Sequence, residues 1–203
     1  LNTQNLPEKD EREAVETITE LIEYYKGIFT ILSSCAARQL EEVTFRRNTI
    51  PVQELFDAAG KYFRKVTKNR TEKVELIIEP MDAKVIGDVN QLRFLFENLI
   101  DEALAVREEG VIRLQARKDN EYIRFLFTDT RREKSVTELN QLFYPNLARM
   151  TSGEKGELRG TEYLICKQII RDHDEFAGRR GCRINAEPAE GGGFTVYFTI
   201  PRR

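Results

Sequence analysis

The chain has 203 residues, enough to bury one sizeable core with a helical extension beside it. Its formal charge of -2 argues against general attraction to nucleic acid or acidic membranes, so any basic site has to be local. No apolar run reaches the length of a membrane span, and three scattered cysteines, Cys35, Cys166 and Cys182, suit neither a metal knuckle nor a closed disulfide set and fit a reducing cytoplasm.

The first residues do not read as a signal peptide, and the abrupt start at Leu1 leaves room for domains upstream. From about Glu11 to Val43 the pattern is helical, with Val15, Ile18, Ile22, Tyr25, Phe29, Leu32 and Ala36 stepping in alternate threes and fours as a heptad seam. Leu21, Ile28 and Ile31 widen the stripe, which favours a helical bundle over a two-stranded coil. Two readings follow, a helix packed on its own domain or a dimerisation stalk, and the stalk is preferred.

Arg46 to Ile50 reads as a polar linker, and Pro51 starts a second helix through Val52, Leu55, Phe56, Ala59 and Phe63. Lys73 to Glu79 is rich in branched residues and predicts a strand; a shorter one is expected around Val85. The next helix is the centre of the chain. Leu92, Leu95, Phe96, Leu99, Ile100, Ala103 and Leu104 line one face, Asp88 stands at the cap, and Gln91 three residues on suggests a capping box. Asn98 and Glu102 are four apart and share one side of that helix, as a ligand-facing pair or as ordinary solvated polar residues.

Val111 to Ala116 and Tyr122 to Phe127 predict paired strands across a turn at Lys118 to Glu121, with Asp129 just past the second. Ser135-Val136-Thr137-Glu138 has the capping-box pattern and opens a short helix to about Phe143. Pro145, Gly153, Gly156 and Gly160 among charged residues predict a mobile loop over 145–160. A helix with Tyr163, Leu164, Cys166, Ile169 and Ile170 apolar follows, then a strand near Arg183 to Ala186, a turn at Gly191-Gly192-Gly193 and the strand Phe194 to Ile200.

Residues 50 to 201 resemble the catalytic domain of bacterial sensor histidine kinases, in the ATPase superfamily that includes gyrase and heat-shock chaperones. The resemblance rests on Val85-Ile86-Gly87-Asp88 with Leu92, Asn98-Leu99-Ile100 with Ala103, Asp129-Thr130, Phe143, Ile165 to Ile170 with His173, and Gly193-Phe194-Thr195 through Pro201. It implies an α+β fold, a two-layer α/β sandwich preceded by a long helix, with 1–48 as dimerisation-type helix and linker and 49–203 as the ATPase domain. The segment Glu11 to Val43 then resembles the second helix of the kinase dimerisation domain, which implies a homodimer, and a response regulator is the implied partner. ATP and magnesium are the implied ligands, with Asn98, Glu102, Asp129, Lys155, Arg159 and Gly160 at the nucleotide and Asn98 and Glu102 on the metal.

Several family features are altered. Glu102 stands where a second asparagine is expected. Without a metal, a carboxylate about 5 Å from a phosphate charge repels it by roughly 3 kcal/mol at an effective dielectric near 20; with magnesium present it is a hard ligand. Asp129 matches, but Arg131 and Glu133 replace two glycines, and Arg131 is placed to pair with Asp129. In the second glycine motif Leu158 and Glu162 occupy glycine positions and Gly160 alone matches; Lys155 and Arg159 either offer charge in partial compensation or belong to an ordinary solvated loop, and the solvated loop is preferred.

His173 aligns with a histidine near the end of the last helix and carries a structural role; no other histidine is present to act as phosphoacceptor. Asp174 to Arg180 looks like an insertion. The preferred reading is a cytoplasmic, kinase-like signalling module with impaired ATP binding. The alternatives are an active ATP-dependent histidine kinase whose phosphoacceptor lies outside the chain, and an ATP-binding domain without phosphotransfer.

Overall fold

The computed structural model describes residues 45–144 and 161–203, together with Val15 and Ile18. The chain divides into two units. The first, Leu1–Val43 with Asn146–Thr161, is described only at Thr161 and at Val15 and Ile18, which are helical and exposed. Apart from Val15 and Ile18, the stalk seam therefore lies outside the described residues, as does the 145–160 loop with Lys155, Arg159 and Gly160. The second unit, Thr44–Pro145 with Glu162–Arg203, holds the sheet and its helices.

Elements are numbered in chain order among the described residues. Strand β1 (Asn48–Pro51) pairs antiparallel with β3 (Lys84–Gly87), placing Ile50 opposite Val85. The polar linker expected over 46–50 is thus a strand from Asn48 onward. Ile50 is its single buried residue, and an isolated apolar position among polar ones gave no alternation to read. Helix α1 (Val52–Thr67) follows directly, with Pro51 as its N-cap in extended conformation; Val52, Leu55, Phe56, Ala59 and Phe63 are buried.

Strand β2 (Val74–Ile78) lies parallel to β4 (Gly110–Asp119), and the crossover between them contains β3 and helix α2 (Val89–Leu104). Strands β4 and β5 (Tyr122–Asp129) form a hairpin in which Asp119 faces Tyr122. The turn is tighter than the four residues expected: Asn120 and Glu121 close it, with Asn120 at φ 51, a left-handed conformation that asparagine tolerates. Helices α3 (Val136–Gln141) and α4 (Thr161–Phe176) precede strands β6 (Ile184–Pro188) and β7 (Phe194–Pro201). The five-stranded sheet runs β2-β4-β5-β7-β6 and is antiparallel except at β2–β4.

Helices cover one face of this sheet, giving the expected two-layer sandwich. Along β5, Ile123, Phe125 and Phe127 are buried while Tyr122, Arg124 and Leu126 are only partly so, which is the alternation of a strand with one covered side. Phe56 of α1, Phe96 of α2, Phe125 of β5 and Phe198 of β7 meet in one aromatic cluster, with Phe125 and Phe198 stacked at 4.9 Å and Phe56 edge-on to Phe96 at 6.2 Å. Burial of four such rings, each worth about 1.5–3 kcal/mol, fixes α1 and α2 against the sheet and so fixes where the C-terminal half of α2 points.

Candidate nucleotide site

The start of α2 is anchored from three directions. Asp88 Oδ1 accepts the backbone N–H groups of Asn90 and Gln91 at 2.9 and 3.2 Å, and Oδ2 accepts that of Arg46 at 2.8 Å. The return bond of a capping box is not made by Gln91, whose side-chain oxygen is buried without a partner. The backbone N–H of Asp88 instead donates to His173 Nε2 at 3.1 Å, and His173 Nδ1 donates to the Ile169 carbonyl at 2.8 Å. Both ring nitrogens are thereby used, the imidazole is the neutral Nδ1–H tautomer, and burial holds its pKa below the usual value. A Cβ on Gly87 would stand 2.8 Å from this ring, so a glycine is needed there. His173 is structural, as the sequence indicated.

The C-terminal half of α2 carries Asn98 and Glu102, which are only 6% and 8% exposed. They share one side of the helix and, being buried, are not ordinary solvated polar residues. Asn98 Nδ2 donates to the Phe94 carbonyl of its own helix at 2.7 Å. Close to Glu102 lies Tyr163, fully buried on α4, whose hydroxyl pKa is pushed well up, first by burial and then by the negative charge of Glu102, with Arg132 acting in the opposite direction. Tyr163 was legible only as an apolar helix position, because nothing in the local pattern of α4 records which carboxylates it will meet.

Asp129, at the end of β5, is the most constrained group in this region. Arg131 Nε donates to its Oδ1 at 2.8 Å and Arg131 Nη2 to its Oδ2 at 2.9 Å, a forked pair in which both side chains are 1% exposed. The backbone N–H of Arg131 adds a third bond to Oδ1 at 3.1 Å, and Arg132 Nε lies 3.4 Å from Oδ2. The guanidinium is satisfied in turn: Nη2 donates to the Ala103 carbonyl at 2.7 Å and Nη1 to the Glu108 carbonyl at 3.2 Å. Ala103 belongs to the last turn of α2, where a cation is favoured by the helix dipole.

Two glycines make this arrangement possible. A Cβ on Gly110, at φ +138, would stand 2.7 Å from Arg131 Cγ. On Gly193, at φ +80, it would stand 2.1 Å from the Asp129 carbonyl oxygen. Gly193 is legible in the sequence as part of a turn; the need for a glycine at position 110 is not, since its neighbour Arg131 is distant in the chain.

The structure thus brings Asn98, Glu102 and Asp129 to one end of the helical layer, beside Arg131, Arg132 and Tyr163. An aspartate that is to accept a hydrogen bond from an adenine amine needs a free lone pair and an open approach. Asp129 lacks the open approach: Arg131 donates to both carboxylate oxygens, its backbone N–H adds a third bond, Arg132 lies 3.4 Å away, and the Asp129 side chain is 1% exposed. The residues present therefore do not fit the adenine ring as they stand. Among the described residues no group of three or more His, Cys, Asp or Glu side chains is placed to hold a metal ion, and no helix is long and apolar enough to cross a membrane.

Comparison with known proteins places these features in context. A family model described as histidine kinase-, DNA gyrase B-, and HSP90-like ATPase matches residues 87–203. Among solved structures, the chain resembles the mycobacterial sensor histidine kinase MprB, with a TM-score of 0.57 and 18% identity over 78% of this chain and 99% of that one. It also resembles the Acinetobacter baumannii histidine kinase AdeS, with a TM-score of 0.57 and 13% identity over 99% of this chain and 86% of that one. A third is histidine kinase ThkA in complex with the response regulator protein TrrA, with a TM-score of 0.64 and 18% identity over 98% of this chain and 53% of that one. At these identities the likeness is one of fold. No curated protein matches the chain in sequence.

Proposed function

The chain belongs to the histidine kinase-, DNA gyrase B- and HSP90-like ATPase family, and from that premise we propose that it is the C-terminal part of a two-component signalling protein whose nucleotide site is internally occupied. The observation that carries this reading is the buried fork between Arg131 and Asp129. A ligand that needs the Asp129 carboxylate has to displace an arginine holding four acceptors at once, so ATP binding is weak and the module is pseudokinase-like. Asn98 and Glu102 would face the phosphates and magnesium if nucleotide entered, and the family resemblance assigns Lys155, Arg159 and Gly160 to the same nucleotide.

The same proposal assigns residues 1–48 to a dimerisation-type helix with its connection and 49–203 to the ATPase-like domain. It makes the molecule a homodimer through the N-terminal helix, in the cytoplasm, with a response regulator as partner. The fold shared with ThkA, whose solved complex contains the response regulator TrrA, supports the last point.

Titration with magnesium-ATP followed by thermal unfolding tests the nucleotide part. A ligand that binds only the native state raises its stability as concentration rises. The proposal expects no rise in midpoint up to millimolar ATP; a concentration-dependent rise would favour the active-kinase alternative. Light scattering tests the dimer, and a monomeric mass at high concentration would remove it.

A further inference from the structure

The face of the five-stranded sheet that the helices do not cover carries a row of arginines. Residues directly opposite one another in paired strands project to the same side. Arg117 of β4 lies opposite Arg124 of β5, and Arg124 lies opposite Thr199 of β7. Thr199 is bonded in turn to Arg183, just before β6, through its backbone N–H to the Arg183 carbonyl and through its hydroxyl, which accepts the Arg183 N–H, each at 3.0 Å. With strands about 4.8 Å apart, the row crosses four strands over about 14 Å.

Like charges opposite one another on neighbouring strands repel. Here Arg124 is turned aside: its guanidinium lies 3.8 Å over the Tyr197 ring and reaches Glu187 at 3.4 Å. Arg117 and Arg183 have no anionic partner among the described residues, and both are exposed. Beside them a concavity of about 470 Å³ is lined by Arg124, Arg180 and Arg183, by Tyr122 and Tyr197, and also by the acids Asp119 and Glu121. Of the acids in and around it, Glu121 pairs with Arg179 and Asp174 pairs with Arg180 at 3.2 Å, while Asp119 keeps its charge and accepts only from the neutral Asn120 amide at 3.4 Å. Because the chain as a whole carries -2 and Asp119, Glu121 and Glu187 stand among these arginines, the positive charge is confined to Arg117 and Arg183 and does not make the molecule a general polyanion binder.

We propose that this open sheet face docks an extended acidic segment of a partner protein, with carboxylates of that segment on Arg117 and Arg183. About four extended residues span the row, and alternate side chains of such a segment face the same way, which matches charges spaced across strands. Tyr122 and Tyr197 supply flat surface between the cationic ends. The inference is independent of whether ATP binds, since none of these residues belongs to the nucleotide site.

Fluorescence anisotropy with the full chain tests it, using a labelled peptide of alternating glutamate and threonine. The controls are the glutamine–threonine counterpart and a single-stranded DNA of similar length. The glutamate peptide should bind and its glutamine counterpart should not. The double variant Arg117→Glu/Arg183→Glu should weaken binding about tenfold or more, and added salt should weaken it further. Arg117→Gln/Arg183→Gln, with an unchanged melting curve, serves if charge reversal perturbs folding. Absent peptide binding, unchanged affinity in the variants, equal affinity for the glutamine peptide, or DNA binding as tight as that of the peptide would each overturn the proposal.

Discussion

Removing the guanidinium from Asp129 by Arg131→Ala perturbs the nucleotide site at its tightest point. The change leaves a carboxylate that is 1% exposed with only Arg132, at 3.4 Å, as a nearby cation. It also removes the donors to the Ala103 and Glu108 carbonyls. Breaking a buried pair from one side costs about 3–5 kcal/mol, because the remaining charge is uncompensated. By contrast, an exposed pair such as Arg93 with Glu54 contributes about 0–1 kcal/mol. Arg132 offsets part of the loss, so the lower figure applies. With an m-value of about 2 kcal/mol per molar urea, a loss of about 3 kcal/mol lowers the urea midpoint by about 1.5 M.

The same substitution uncovers Asp129. If the arginine is what excludes adenine, magnesium-ATP at about 100 times its Kd returns about 2.7 kcal/mol, most of what was lost, and the midpoint recovers. The pair substitution Asp129→Leu/Arg131→Met separates the two effects. Replacing both charges by apolar groups is expected to be near neutral for stability and to give no recovery with ATP. A midpoint for Arg131→Ala within about 0.5 M of the parent would show that the fork contributes little to stability. A destabilised variant that still gains nothing from ATP would refute the occlusion argument.

Three further outcomes follow from the same geometry. Gly193→Ala places a Cβ 2.1 Å from the Asp129 carbonyl oxygen at φ +80, so thermal melting should show a loss at or above the roughly 1–3 kcal/mol of a strained left-handed residue; an unchanged melting temperature would contradict the close approach. Asp88→Ala frees the N–H groups of Arg46, Asn90 and Gln91 and should cost about 1–2 kcal/mol in chemical denaturation, with Asp88→Asn recovering part of it. His173 has a folded pKa depressed by burial, despite the charges of Asp88 and Asp172 that oppose the shift, so the unfolded chain takes up the proton first as pH falls. Its contribution is then constant above the unfolded value of about 6.5 and declines below it, and urea midpoints should drop as pH falls through about 6.5 toward the lower folded value. His173→Leu should flatten that drop and cost about 1–3 kcal/mol at neutral pH by leaving the Asp88 N–H unpaired. Asp174, whose carboxyl is held below its usual range, acts only at more acid pH and does not confound the window.

Most of the fold was legible because it depends on local pattern. The apolar stripe of α2, the Asp88 cap, the Ser135 capping box, the β4–β5 hairpin and the apolar face of α4 are each carried by residues within a few positions of one another. Strand β1 was missed because its pairing energy comes from β3, more than thirty positions away, and only Ile50 marks a buried side. The cap on α2 was read correctly at Asp88 but its return bond was assigned to Gln91. His173, brought close by the packing of α4, fills that place instead.

The nucleotide site divides in the same way. That Arg131 stands two residues after Asp129, where a glycine was expected, is visible in the sequence, and the possibility of a pair with it. Whether such a pair is a loose surface contact or a buried fork depends on the carbonyls of Ala103 and Glu108 and on the missing Cβ of Gly110, which come from other parts of the chain. Sequence alone therefore determined the family, the layers and the identities of the altered residues. Tertiary structure decided that Asp129 is closed, because the burial of a carboxylate and of the arginine paired with it is set by groups that only folding brings within reach.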